Sequence, residues 1–576
     1  MAVRVRVPLA AHIQNPNIMH KKLILTLPVC TLLMLSSCGK LGPLSSDYFT
    51  VTPNPLEVQG GQVAATINGS FPEKYMKKKA TVTVVPELRY GSGQTKRGES
   101  ATFQGENVLG NDQTISYRMG GHYTMKTSFT YEPAMQQSDM YLTFDAKIGN
   151  KKVNIPAVKV ATGIITTAEL YKKTLMNAGG CIALDSFQRV TAQKQEANIR
   201  FLVNQANLRK SELKNNSIQE FVRMLKKINA DREGLNIQNV EVQAYASPEG
   251  GFAFNDKLAN KRQNASEGYV KQQLKQTKVN TDIDAHYTAQ DWDGFQKLVQ
   301  ASNIQDKDVI LRVLSMYKDP EEREAQIRNM SEAFRELADG ILPELRRSRL
   351  IINYQTVGRS DEQIKQTYAE APTKLNVNEM LYAATLESNP AKKKEIYQRA
   401  AEYFDKDYRA YNNLAVMAFN DGDEATAKTY IARALRLDPK APEPQANLGL
   451  IALKNGSLAE AENYLANAID ANGFGEALGN LNIAKGNYAA AVETFGDSNS
   501  NSAALAQMLN KDYESAKATL KRVKNADAMT SYLHAIISAR QGNSYAANSY
   551  LQEALQKDPT LADYAAKDLE FASIRK

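Results

Sequence analysis

Between residues 414 and 468 the chain repeats itself with a period of 34. Leu414-Ala415, Gly422, Ala427, Ile431 and Ala434 recur as Leu448-Gly449, Gly456, Ala461, Leu465 and Ala468, shifted equally at every position, and Pro439 closes the first copy. A unit of that size cannot bury its apolar face alone, so the period demands an array in which neighbours stack. Small residues are needed where paired helices cross closely, and glycine or proline where each unit ends. Weaker copies follow at Leu478-Gly479, Gly486, Ala491 and Phe495; at Ala516 and Leu520, where much of the first helix reads as lost; and at Gly542, Ala547, Leu551, Ala554 and Pro559. Tyr397 and Ala400 suggest a degenerate copy in front. Residues 376–576 therefore read as an α-solenoid of four to six units.

This spacing and its small-residue positions resemble the tetratricopeptide (TPR) repeat. The resemblance implies a concave groove for an extended peptide or a partner's helix, and no chemistry. Asp421-Gly-Asp-Glu looks like a calcium-loop fragment, but the other ligands are missing and turn chemistry accounts for it.

At the other end, Lys21-Lys22 precedes an apolar stretch of about twelve residues, Leu23 to Met34. A bilayer span needs about 20 apolar residues, so residues 1–37 read as a signal peptide rather than a membrane helix. Residues 1–18 do not look like a signal's charged start, and Met19 is an alternative first residue. Leu35-Ser36-Ser37-Cys38 resembles the lipobox of bacterial lipoproteins. That resemblance implies cleavage before Cys38, acylation of its thiol and new amine, and a lipid-anchored tether over residues 38–47. No acidic residue directly follows Cys38. By the same resemblance, the expected location is the periplasmic face of a Gram-negative outer membrane.

Residues 48–166 alternate with period two in Ala80–Val85, Thr124–Tyr131 and Met140–Ala146, with Gly60-Gly61, Asn68-Gly69, Gly110-Asn111 and Gly149-Asn150 as turns. An all-β sandwich is expected, followed by a connector over 167–196. Residues 197–358 mix strands at 198–203, 240–245, 282–287 and 350–354 with helices at 218–228 and 255–274, an α+β pattern carrying a helical insertion around 309–337. Phe201-x-x-Asn204-x-Ala206-x-Leu208 and Tyr245-x-x-x-x-Gly250-x-x-x-Phe254-Asn255-x-x-Leu258-x-x-x-Arg262 resemble the OmpA-like peptidoglycan-binding domain. The resemblance implies that Asn255 and Arg262 help to hold the diaminopimelate end of a stem peptide, the arginine gripping its carboxylate. The family's aspartate is replaced by Ser247, and Glu249, two residues on, is the candidate substitute charge. Asp291-Trp-Asp-Gly-Phe295 holds the single tryptophan, read as an anchor for the inserted helices with sugar stacking as the other reading. Residues 359–375 read as a linker.

The net charge is +8, but residues 1–37 carry four of those charges and leave +4 on the remaining 539 residues. That is too mild for a nucleic-acid partner, and no basic run with interleaved aromatics occurs. Of three cysteines, Cys30 and Cys38 belong to the N-terminal address, so Cys181 has no intramolecular disulfide partner and reads as a small buried residue. His122, His286 and His534 lack ligand spacing, and no phosphate loop, Gly-x-Ser-x-Gly or paired-cysteine metal motif is present. The expectation is a non-enzymatic, cofactor-free lipoprotein with three recognition modules. Its lipid sits in the membrane, its α+β domain grips peptidoglycan, and its repeats bind an envelope protein. The alternative is a pure protein-interaction scaffold whose OmpA-like domain no longer binds cell wall; a wall-modifying enzyme is the least supported reading.

Overall fold

The computed structural model describes residues 40–175, 177, 179–304, 306–330 and 335–575. The expected signal peptide and the lipidation candidate Cys38 lie outside them. The described residues form two compact units, one of residues 40–167 together with 560–575, the other of those within Ala168–Pro559.

In the first unit the period-two alternation becomes two sheets. One joins Phe49–Thr52, Gln62–Phe71, Leu56–Gln59 and Ile164–Ile165, with Gly121–Thr130 on the free side of Gln62–Phe71. The other runs Lys151–Thr162, Ser138–Ile148, Ala80–Tyr90, Ala101–Gly105 and Gln113–Ile115, with Gln94–Arg97 also paired to Ala80–Tyr90. Every second residue of Gln62–Phe71 and Gly121–Thr130 points into one core. At its centre Phe71, Phe103 and Tyr123 pack with ring centroids 4.3–5.5 Å apart. Each fully buried large apolar side chain contributes about 1.5–3 kcal/mol. Residues 560–575, expected to continue the repeats, belong here instead. Phe571 is fully buried, the Tyr564 and Thr166 hydroxyls are 2.9 Å apart, and Thr167 donates to Glu570.

The second unit opens its α+β part at Val190, earlier than the sequence reading placed it. Strands Val190–Arg200, Arg347–Val357, Leu235–Tyr245 and Asp282–Thr288 lie side by side in that order, the last pair parallel and the others antiparallel. Helices Asn216–Ala230 and Phe252–Thr277 connect them. Ile218, Phe221, Leu225 and Ile228 recur at helical spacing and bury against the sheet. The insertion is a small helical layer, Trp292–Ala301, Lys307–Met316 and Pro320–Asn329, with its own core around Phe295, Val299, Ile310 and Ile327. Trp292 lies against Phe295 with centroids 5.6 Å apart, in the seat expected of an anchor.

The span expected to be a linker contains a capped helix, Asp361–Glu370, whose Ile364 is buried against the first repeat. Six helix pairs follow among the described residues, beginning with Val377–Thr385/Pro390–Tyr403 and ending with Ala528–Arg540/Ser544–Lys557. The unit around Ala516 keeps its first helix, Asn501–Leu509, which apolar counting missed because Ala503, Ala504 and Ala506 pack closely in place of larger side chains. Gly449 and Gly479 mark the closest helix crossings: a Cβ on Gly449 would sit 2.7 Å from Leu465, and one on Gly479 2.5 Å from the Phe495 ring. Gly422, Gly456, Gly486 and Gly542 turn between paired helices with φ of 75° to 81°. In the fifth pair Lys511 occupies that turn at φ 67°.

Gly479→Ala is expected to destabilise its helix pair by about 1–3 kcal/mol through overpacking, with Phe495→Leu restoring part of the loss. Lys511→Gly is expected to stabilise its pair by about 0.5–1 kcal/mol, because relief of left-handed backbone strain exceeds glycine's added unfolded-state entropy. Amide hydrogen exchange of residues 474–522 reads both effects locally.

Candidate functional site

Two places bear on function: the 246–251 loop with the helix that follows, and the concave face of the repeats. In the first, strand Leu235–Tyr245 delivers the loop to helix Phe252–Thr277, whose N-cap Gly251 has no side chain to offer the free N–H groups. Asn255, one turn in, donates to the carbonyls of Ser247, Glu249 and Gly250 at 3.0–3.1 Å and so holds the loop's shape. Arg262, two turns further on the same face, is 1% exposed. Its Nε donates to the Gln205 carbonyl at 3.0 Å, Nη1 to that of Tyr245 at 2.9 Å and Nη2 to that of Leu202 at 3.2 Å. Burial, with Arg346 nearby, pushes its pKa down to about 10, and Glu249 partly opposes this.

The structure brings Ser247, Glu249, Asn255 and Arg262 together, but not as an open carboxylate site. The guanidinium stitches the loop after Arg200 to the end of strand Leu235–Tyr245, which is the correction to an arginine fork turned toward a ligand. Glu249 accepts from the Ser247 hydroxyl at 3.0 Å and pairs with Arg346 at 2.7 Å, so its charge is spent inside the protein. The Gly250 N–H, of the kind that would greet an anion, donates to Glu324 of the inserted layer at 2.7 Å. Between Pro248, Glu249, Trp292, Phe295, Ile327 and Leu342 about 20 Å³ of free space remains, room for about one water molecule.

The second place was expected as a partner groove, but its occupant was not legible in the sequence. Described residues of the connector, expected to be a simple link, lie on the first helices of successive pairs, and from Asn177 to Asp185 they run opposite to repeat order. Thr174 accepts from Ser502, and Asn177 donates to the Asn525 carbonyl and to Asp527, all at 2.9 Å. Asn447 accepts from the Cys181 N–H at 2.8 Å and donates to the Cys181 carbonyl at 2.9 Å; Asn412 donates to that same carbonyl at 2.9 Å. Asn413 grips Ala183 alike, accepting from its N–H at 2.8 Å and donating to its carbonyl at 3.0 Å. Asn472 donates to the Ile182 carbonyl, and Arg409 to that of Asp185. Gly180 is required by proximity, since a Cβ there would lie 2.7 Å from Asn447 Oδ1. Cys181 and Ala183 are buried, while Leu184 between Ala183 and Asp185 is exposed. The groove expected to await a partner is thus occupied by the chain's own Thr174, Asn177 and residues 179–185.

These contacts hold a main chain by its N–H and C=O groups. Burial, reinforced by Glu443 and Glu476, pushes the Cys181 thiol up to about 12, so it is a poor nucleophile where it lies. His534 stacks on Tyr550 and burial pulls its pKa down. Among the described residues no three His, Cys, Asp or Glu side chains gather as a metal site, and no helix is long and apolar enough to cross a membrane.

The tetratricopeptide repeat profile matches residues 408–440, the second helix pair and its turns. No curated protein matches the chain. Among solved structures it is similar to a tetratricopeptide repeat protein from Parabacteroides merdae (16% identity, 34% of this chain and 85% of that one, TM-score 0.26). It is also similar to PilW, a type IV pilus biogenesis factor (17% identity, 34% and 96%, TM-score 0.25), and to pilF of Pseudomonas aeruginosa (16% identity, 38% and 99%, TM-score 0.25). The chain is multidomain, with a β-rich N-terminal region and a C-terminal helical-repeat region of TPR type.

Arg262→Ala leaves three main-chain carbonyls without their donors and is expected to lower stability by about 3 kcal/mol or more in chemical denaturation. An arginine waiting in solvent for a ligand would give a nearly neutral change.

Proposed function

We propose that this chain is a protein-interaction scaffold of a Gram-negative envelope, tethered by lipid at Cys38 to the periplasmic face of the outer membrane. Three acyl chains, at about 0.8 kcal/mol per buried methylene, would anchor it durably. The observation that carries the scaffold reading is the asparagine-lined concave face closed around an extended main chain. Polar side chains that satisfy both N–H and C=O of successive residues serve to grip a polypeptide. The N-terminal β-rich region and the α+β domain then act as further holding surfaces.

The α+β domain resembles the OmpA-like family in its motif order and in alternating strands and helices, while its loop is closed by Glu324, Arg346 and the inserted layer. Loss of wall binding therefore fits its geometry better than retention. The reading in which the domain grips peptidoglycan draws on the convergence of Ser247, Glu249, Asn255 and Arg262 at one loop.

Purified protein mixed with cell-wall sacculi is expected to stay in the supernatant after sedimentation. Sedimentation of the unaltered protein that is released by added stem peptide would instead establish the wall-binding reading. Crosslinking in intact cells followed by mass spectrometry is expected to join the chain to envelope proteins, and crosslinks to none would end the scaffold reading. The unaltered chain should fractionate with membranes and a Cys38→Ser form with soluble protein.

A further inference from the structure

The segment in the groove is held almost wholly by its main chain. From Cys181 to Asp185 the hydrogen bonds run to N–H and C=O groups, through Asn412, Asn413, Asn447, Asn472 and Arg409. Side-chain selection is limited to size: glycine at 180 beneath Asn447 and Val416, and small residues at 181 and 183. Ile182 is half-buried, and the side chain of Leu184 points away into solvent. Beyond that size pattern, nothing in these contacts is specific to this particular stretch of sequence.

We propose that residues 179–185 are an exchangeable occupant, and that the groove takes in their place an extended segment of another polypeptide with the pattern Gly-small-x-small. This rests on the scaffold reading and names the chemistry of its partner. The advantage of residues 179–185, the strap, is their tether, which acts as an effective concentration of roughly millimolar order. A partner segment with the same main-chain contacts and added contacts beyond Asp185 displaces it; without such a partner the strap keeps the groove filled and its asparagines satisfied.

The strap carries its own reporter. In the full chain with Cys30→Ser and Cys38→Ser, Cys181 is the single thiol, and it is 2% exposed while seated. Its alkylation by a maleimide therefore follows strap release. The probe is a synthetic peptide of residues 179–187 with serine at the cysteine position, extended by four residues at its C-terminus and added up to several millimolar. The expected result is a saturable rise in Cys181 alkylation of tenfold or more, with no rise for a peptide bearing tryptophan at the positions of Gly180 and Ala183. Asn447→Ala is expected to raise alkylation without peptide and to abolish the peptide's effect. As a second readout, a fluorescent form of the peptide should bind a Gly180→Trp chain, whose own strap cannot lie against Asn447, more tightly than the unaltered chain.

Alkylation that stays slow and indifferent to peptide, together with no gain of peptide binding in Gly180→Trp, overturns the proposal and leaves the strap a permanent brace. Fast alkylation of the unaltered chain without peptide also overturns it, since the strap would then not be seated. Either result leaves the scaffold reading to its own crosslinking test. Strap exchange between two copies, detected as a peptide-sensitive dimer, would replace the polypeptide partner by a second copy and overturn the assignment as stated.

Discussion

The main chain of a segment laid in a groove must satisfy its N–H and C=O groups somewhere, and here asparagine carboxamides do so. A carboxamide presents one acceptor and a donor pair at nearly the spacing of a peptide group. Asn447 and Asn413 can therefore each close a two-point contact with one residue, and because they serve Cys181 and Ala183, the segment must be extended between them. Asn412 links the two: Asn447 donates to it at 2.9 Å and it donates to Asn413 at 3.2 Å. Removing the segment would hand these carboxamides to water, so each lost bond costs only the net difference between a protein and a water hydrogen bond, about 0.5–1.5 kcal/mol. The occupied groove is thus the lower-energy state of the repeats, and what this unit can bind follows from how that occupancy is relieved.

The α+β domain shows similar economy with a charge. A guanidinium taken from water needs acceptors, and Arg262 finds them in three carbonyls rather than in a ligand. Around it the chain supplies its own counter-groups, Glu249 for Arg346 and Glu324 for the Gly250 N–H. The four residues of the motif, Ser247, Glu249, Asn255 and Arg262, are thus already engaged within the protein. The helical insertion completes this closure by laying Trp292, Phe295 and Leu342 over the loop.

How much could be read beforehand varied with the range of the interaction. The 34-residue period, the turn glycines and the close crossings at Gly449 and Gly479 are local requirements that recur, so the sequence displays them directly. The strands of the N-terminal unit announced themselves through alternation, and the four loop residues through their motif. The fifth pair's first helix stayed hidden because alanine and serine pack it without a visible apolar stripe. The fate of residues 560–575 stayed hidden because Thr166 and Tyr564 lie 398 positions apart. The asparagines at 412, 413 and 447 were in plain view, yet asparagine is an ordinary surface residue until something lies against it.

By itself, then, the sequence determined the order of modules, the helical-repeat class of the C-terminal region and the meeting of Ser247, Glu249, Asn255 and Arg262 on one loop and helix. These follow from periodicity and from short separations along the chain. Only the tertiary structure decided that Arg262 faces inward, that Glu324 seals the loop and that the connector fills the groove. Each of those depends on which polar group, 17 to 350 positions away, reaches a buried donor or acceptor first, and that competition is settled by packing in three dimensions.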